Sequence, residues 1–312
     1  MALALAGAIL AAAVFPALRV FAEDSFLGVE FGGRALAMGG AYTAVADDAQ
    51  GVLWNPAGIA QVSSVLLSGS QNHLSFTENA FSLTLAMPAG GSSGAALSIQ
   101  QMNVDNIAKV RPVLDANGNP VLDPFTNEPL LEISGFGEET DASFILGYGA
   151  ELAPWMMAGA AGKALVGNSA SVIGTGYGIN LGALARFGKA WKAGLTAEDL
   201  GTTTVRWEGG ARTSLEPSFR TGVAWNPAPE WIFSGELGSP FHKLDMKTAL
   251  GAEWRFTDVL AVRAGLADMR FSGGAGFVMA LGEGASRVIA DYAIVTGGRF
   301  EDRNRLTVTV GF

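Results

Sequence analysis

Cysteine is absent from the 312 residues, which removes disulfides, thiolate metal sites and a cysteine nucleophile. Histidine occurs only at His73 and His242, so imidazole chemistry has almost no material to work with. Charge is scarce as well: 16% of residues are Asp, Glu, Lys or Arg against 49% hydrophobic, a balance too apolar for most soluble domains. The net charge of −9 comes without any block of Lys or Arg, and phosphates need a clustered basic surface, so nucleic acid is set aside as a partner. Also missing is any long apolar run beyond Met1 to Leu18. Membrane spans elsewhere must therefore be short alternating strands rather than helices.

That first run, MALALAGAILAAAVFPAL, followed by Arg19-Val20-Phe21-Ala22, predicts a secretory signal over residues 1–22, cleaved after Ala22 to start the mature chain at Glu23. Pro16 and Arg19 interrupt a run already shorter than the roughly 20 residues that a helical anchor needs.

From Ser64 onward one unit repeats: roughly ten residues alternating apolar with small or polar, then a turn, as membrane barrels require. In residues 245–256, Met246, Thr248, Leu250, Ala252, Trp254 and Phe256 point one way, and Asp245, Lys247, Ala249, Gly251, Glu253 and Arg255 the other. In water the first row would aggregate; in lipid it is the required surface, with Trp254 and Phe256 in an aromatic girdle. Phe219/Thr221/Val223/Trp225 and Phe271/Gly273/Ala275/Phe277/Met279/Leu281 repeat the split. This pattern predicts an all-β, antiparallel transmembrane barrel over residues 63–312 with about fourteen strands. They fall near 64–71, 80–87, 94–102, 141–152, 156–167, 176–187, 191–199, 217–226, 230–238, 245–256, 259–267, 271–282, 285–296 and 303–312. Short connections alternate with longer ones at 103–140, 168–175, 200–216 and 297–302, as periplasmic turns alternate with outer loops, with the short Asp268 to Arg270 as the exception on the outer side. A two-sheet soluble sandwich would not require that alternation.

Glycine is plentiful, at 42 residues, and Gly32 to Gly58 reads GGRALAMGGAYTAVADDAQGVLWNPAG. Gly32, Gly33, Gly39 and Gly40 permit backbone angles and close approaches that a side chain would forbid. Asn55-Pro56 sets a turn directly after Trp54. About eight strands can be filled by their own side chains, whereas about fourteen leave a cavity that something must occupy. Residues 23–62 are the candidate plug; the plain alternative is a surface loop and short helix. Loop 103–140, carrying Pro112, Pro120, Pro124 and Pro129, either folds inward or stands outside as a docking surface.

The catalytic motifs carry little weight. Gly90-Gly91-Ser92-Ser93-Gly94 matches the nucleophile-elbow spacing but lacks the helix that must follow it, so it reads as a hairpin turn. Asp115-Ala116-Asn117-Gly118-Asn119 begins like a calcium loop, yet Pro120 and Thr126 stand where Gly and a bidentate Glu belong. His73 with Ser75, and His242 beside Pro240, read as solvated loop residues. Asp47-Asp48 reads as an acidic turn or a helix cap. Inward charges of both signs are interspersed: Glu151, Lys163, Arg186, Lys192, Glu198, Arg220, Glu236, Asp245, Lys247, Glu253, Arg255, Arg263, Arg287 and Asp291. Mixed signs on facing strands point to a bonded, closed lumen rather than a single-sign selective pore, with Arg34 as a possible member. No cofactor, metal or catalytic residue is expected.

The stretch GGRALAMGGAYTAVADDAQGVLWNPAGIA resembles the N-terminal hatch of the FadL-like outer-membrane barrels, and within them the PorV/PorQ branch linked to type IX secretion. The match is specific over Phe26 to Ala60. It implies a periplasm-side plug in the lumen, marked by Gly32, Gly33, Arg34, Gly39, Gly40, Asn55, Pro56, Ala57 and Gly58. The last strand, with Leu306, Val308, Val310 and Phe312 on one face and an aromatic at its end, resembles the C-terminal signal read by the barrel-assembly machinery. The branch implies a non-enzymatic barrel in outer-membrane lipid, docking secretion-system proteins or their cargo. The alternative is a FadL-like transporter of long-chain fatty acids or other hydrophobic molecules, for which the inner row looks too small and charged. A barrel enzyme such as a lipase stands third, for want of a catalytic constellation.

Overall fold

The computed structural model describes residues 29–75, 77–126, 128–169, 172–240, 246–282, 286–297 and 303–312. The signal over 1–22, the start of the plug at 23–28, His242 and Asp245 lie outside the described residues.

Among the described residues sixteen strands follow one another: β1 Leu66–His73, β2 Glu78–Pro88, β3 Ser93–Pro112, β4 Leu131–Ala153, β5 Met156–Ser169, β6 Val172–Phe187, β7 Trp191–Glu198 and β8 Thr203–Trp207. Then come β9 Arg212–Leu215, β10 Ser218–Trp225, β11 Trp231–Pro240, β12 Lys247–Arg255, β13 Leu260–Ala267, β14 Arg270–Ala280, β15 Arg287–Val295 and β16 Arg303–Gly311. All but β8 and β9 form a closed antiparallel cylinder of 14 strands, in which β7 pairs with β10 and β5 with β6. Closure is made where Leu66 on β1 faces both Ala86 on β2 and Gly311 on β16. No described helix is long and apolar enough to cross a membrane.

The alternation has the expected consequence. On β6, Tyr177, Ile179 and Leu181 are exposed between less exposed Gly176, Gly178, Asn180 and Gly182. At the short-turn end the exposed rings join in a row across β7, β10, β11 and β12. Trp191 stacks on Trp225, Trp225 meets Phe233, Trp231 lies between Phe233 and Trp254, and Trp254 meets Phe256, with centroids 5.2 to 5.7 Å apart. Amphipathic rings in such a band suit a lipid–water boundary.

Three segments read as loops differ. Residues 103–140 are largely strand, since β3 runs on to Pro112 and β4 starts at Leu131. The period of two is hidden there by register shifts between Val104 and Ile107 and between Lys109 and Val110, each inserting unpaired residues that break the alternation. Across this ribbon Ala108 faces Phe136, Val110 faces Ile133 and Pro112 faces Leu131. The intervening pairs are polar, with Arg111 Nε 2.7 Å from Glu132 Oε1. Residues 168–175 are mostly strand too, because β5 reaches Ser169 and β6 begins at Val172. Within 200–216 lies the β8–β9 hairpin, turned by Gly209 and Gly210 at φ 108° and 90°. Among the described residues it joins the cylinder through two ladder pairs, Gly174 with Trp207 and Thr175 with Arg206, and through Glu208 N donating to the Ile173 carbonyl at 2.8 Å.

Before β1 the chain forms a short helix α1, Gly33–Ala37, and two 3-10 turns, Ala49–Leu53 and Pro56–Gln61. Phe31, Tyr42, Trp54 and Ile59 are all buried. Helix α1 packs on β13 to β16, the first 3-10 turn on β1 to β3, and the second on β3 to β6. The buried faces of strands all round the cylinder thus share this one segment.

Candidate functional site

The segment approaches the wall so closely because the wall is glycine at the points of contact. A Cβ on Gly149 of β4 would stand 2.6 Å from the Pro56 carbonyl oxygen, and one on Gly251 of β12 2.6 Å from that of Met38. Side chains at Gly159, Gly182, Gly194 and Gly265 would collide with Pro56, Asn55, Thr43 and Gly39 in turn. The fit is mutual: a Cβ at Gly39, itself at φ +68°, would reach 2.8 Å from the Leu266 amide. Asn55 fastens the turn, its Nδ2 donating to the carbonyls of Thr43 (2.9 Å) and Ala183 (3.0 Å) while its Oδ1 accepts from the Ala57 amide. Gly33 N donates to Thr307 Oγ1 at 2.8 Å, and Gly40 lies against the Trp54 ring. Sequence reasoning singled out the glycines of the segment and missed those of the wall, although every second position of several strands carried one.

Charges complete the attachment. Arg34 donates through Nε to Glu253 Oε2 (2.7 Å) and pairs with Asp47. Glu253 also accepts from Arg263 Nε at 2.7 Å, and Arg263 Nη1 reaches Asp291 at 2.8 Å. A second cluster centres on Arg220, which pairs with Glu198, lies 3.6 Å from Glu30 and 3.9 Å from Glu236, and sits over the Trp54 ring. Glu236 Oε2 accepts from the amides of Tyr42 and Thr43. Lys192 donates to Gln61, Lys163 pairs with Asp199, and Arg186 lies 3.4 Å from Glu151. Breaking one partner out of such a buried pair costs on the order of 3–5 kcal/mol, because the other charge stays behind. Lys247 and Arg287 are exposed.

Asp47 and Asp48 form neither a solvated turn nor a side-chain cap. Asp48 occupies the N-cap of the first 3-10 turn without bonding its amides and instead accepts from the Tyr42 hydroxyl at 2.7 Å. Burial pushes Asp48 up to about 6, Arg34 opposing and Asp47 adding to the rise. Burial would raise Asp47 too, but Arg34 and Lys192 outweigh it and hold that carboxyl low.

The rejected motifs stay apart. His73 Nδ1 contacts Asn79 while Ser75 contacts Thr77. Ser93 donates to the Gly90 carbonyl in the turn before β3, and Asp115 accepts from the amides of Asn117 and Asn119. The final strand presents Leu306, Val308 and Phe312 on its exposed face, with Val310 part-covered.

At the far end of the cylinder the β8–β9 hairpin lies on the buried face of β6. Trp207 covers Gly174, and Val205 stands over Gly174 and Gly176. With Phe31, Leu74, Ala80, Met102 and Leu165, Val205 builds an apolar cluster, flanked by Val29, Trp207 and Leu215. The inner row is therefore not small and charged throughout. A cleft of about 30 Å³ opens between β5 and the hairpin, bounded by Asp141, Leu165, Val205, Trp207 and Thr213.

Fourteen closed strands with a lipid-suited exterior define an outer-membrane type of β-barrel. Solved structures share the fold. The toluene transporter TodX of Pseudomonas putida aligns with 90% of this chain and 96% of its own, at 11% identity and a TM-score of 0.61. The monoaromatic hydrocarbon channel CymD aligns with 91% of this chain and 97% of its own, at 12% identity and a TM-score of 0.59. A FadL homologue of Pseudomonas aeruginosa aligns with 91% and 98%, at 10% identity and a TM-score of 0.59. No protein-family model matches the chain, and no curated protein matches it by sequence.

Proposed function

We propose that the protein is an outer-membrane conduit for hydrophobic compounds, with residues 29–62 as a lumenal hatch and the β8–β9 hairpin as a second stopper at the outer end. The observation that carries this reading is the apolar cluster around Phe31, Met102, Leu165 and Val205, between the two inserted segments. The likeness in fold to a toluene transporter and a monoaromatic hydrocarbon channel supports the same class of cargo. The cleft holds little more than one water, so passage requires the hairpin or the hatch to shift. Uptake of labelled toluene should be faster in cells carrying the barrel than in cells lacking it, and faster again after deletion of residues 203–215. Equal uptake with and without the barrel would remove the proposal.

A second reading, docking of secretion components as the PorV/PorQ resemblance implies, draws support from the β3–β4 ribbon. Val110, Ile133 and Phe136 are exposed on one face of it, and Phe125 near its tip is 95% exposed. A pull-down from outer membranes should then recover a specific protein that is lost when residues 107–136 are shortened to a tight turn. Recovery that survives the shortening would rule the ribbon out. The exposed row Leu306, Val308 and Phe312 supports the reading of β16 as the signal to the barrel-assembly machinery.

A further inference from the structure

We propose that the cleft between β5 and the β8–β9 hairpin is a binding site for an organic cation, an amine with an apolar body whose ammonium group is held by Asp141. The inference deepens the conduit reading and rests on it.

Asp141 stands opposite Gly167 in the β4–β5 ladder, and Gly167 stands opposite Gly174 in the β5–β6 ladder. Two adjacent glycines leave a floor without side chains. Trp207 lies across that floor: a Cβ on Gly167 would come 2.6 Å from Asp141 Oδ1 and 2.7 Å from Trp207 Cη2. Carboxylate and indole edge thus meet over one missing side chain. Trp207 Nε1 donates to Thr213 Oγ1 at 3.0 Å, which fixes the ring from the other strand of the hairpin.

Asp141 differs from the other acids of the wall. Glu151, Glu198, Glu253 and Asp291 each have an arginine within 3.4 Å or less, and Asp199 has Lys163. Among the described residues Asp141 has no ion pair and no side-chain hydrogen bond. Lys163, the nearest inward cation on β5, is already committed to Asp199. Glu139, next on the same face of β4, adds negative charge. A carboxylate beside Leu165, Val205 and Trp207 loses hydration without gaining a partner, which is unfavourable until a cation arrives.

Ligand classes separate on that ground. A neutral hydrocarbon fills the apolar wall but leaves the carboxylate unpaired, and a carboxylic acid brings a second negative charge against it. An ammonium group satisfies Asp141 while its apolar body follows Leu165 and Val205 toward the cluster at Phe31. The cleft as it stands has room for little more than the head group, so the ligand enters head first and its body displaces hairpin contacts.

The test is calorimetry on the purified full-length barrel in detergent at neutral pH with three probes of one shape: 2-phenylethylamine, 2-phenylethanol and phenylacetate. The amine should bind at least about tenfold more tightly than the alcohol, the size of a charge-assisted contact, and phenylacetate should bind weakest. Asp141→Asn should erase the amine's advantage and leave alcohol binding unchanged, whereas Asp141→Glu should retain most of it. An alcohol bound as tightly as the amine, or an Asp141→Asn barrel that keeps the preference, overturns the inference and leaves the conduit standing. Binding of none of the three removes both. Displacement of the amine by millimolar calcium chloride at one ion per barrel would show an inorganic-cation site and overturn it too.

Discussion

Two segments pack on the buried faces of the wall strands, and they are attached to different degrees. Residues 29–62 touch the wall mainly with backbone, seated on glycines of β4 to β7 and β12 to β14, and are tied by Arg34, Asn55 and the Arg220 cluster. The β8–β9 hairpin has two ladder pairs on β6, a hydrogen bond from Glu208 N to the Ile173 carbonyl at 2.8 Å, and contacts of Thr203, Thr204, Val205 and Trp207 over the β6 glycines. Backbone seated on glycine fits one register only, because a shift of an ångström brings atoms into collision. Apolar side-chain contact is non-directional and can be exchanged for contact with any apolar molecule of similar area. On the proposed conduit reading, the hairpin is therefore the part a hydrophobic ligand would replace, and residues 29–62 the part it would not.

The contrast can be broken by filling one glycine under each segment. Gly265→Val on β13 meets the backbone at Met38 and Gly39, which cannot yield without lifting the hatch. Gly176→Val on β6 meets Val205 Cγ2 at 3.0 Å and the Thr204 carbonyl oxygen at 3.1 Å, looser contacts than the one with the Gly39 amide at Gly265 and on a hairpin with only two ladder pairs to the wall among the described residues. We expect Gly265→Val to lower barrel stability by about 3 kcal/mol, the upper range for overpacking, and Gly176→Val by about 1 kcal/mol. Limited trypsin should cut after the buried Arg34 in Gly265→Val and spare it in wild type and in Gly176→Val. The hydrocarbon uptake rate should rise in Gly176→Val. If both variants expose Arg34 equally, the two segments move together and the distinction fails.

How far the sequence carried this picture follows from the same contrast. Period-two alternation located the fourteen wall strands, since lipid demands that signal in every strand, and β12 shows it with Leu250 and Trp254 exposed about Glu253. It failed at residues 103–112 and 131–140, where inserted residues shift the phase, and at β8 and β9, where five and four residues are too few to show a period. Within the segment, Gly39, Gly40 and Asn55 announced unusual backbone on their own. Gly159, Gly182 and Gly265 did not, because a glycine on a strand looks the same whether it faces water or another backbone. Asp141 was invisible for a related reason: an unpaired acid is recognised only by what surrounds it.

Acidity offers a finer separation of the two segments. Asp48 belongs to residues 29–62, bonded to Tyr42 beside Arg34 and Asp47, and its carboxyl rises from an ordinary value near 3.8 to about 6 chiefly through burial. A raised acid binds its proton more tightly in the folded chain than in the unfolded one. Its contribution to stability is therefore complete below about pH 4, is lost as pH climbs through about 6, and is constant beyond. Asp48→Asn removes the titration and keeps a hydrogen-bond acceptor for Tyr42. Between about pH 4 and 6.5 the wild-type unfolding midpoint should fall relative to that of the variant, with parallel curves above that range. Trypsin cleavage after Arg34 should follow the same window in wild type alone, while hydrocarbon uptake, which the proposed conduit assigns to the hairpin, should not. Parallel curves from pH 4 upward would mean that Asp48 titrates as it does in the unfolded chain, and the hatch would then hold no proton of its own.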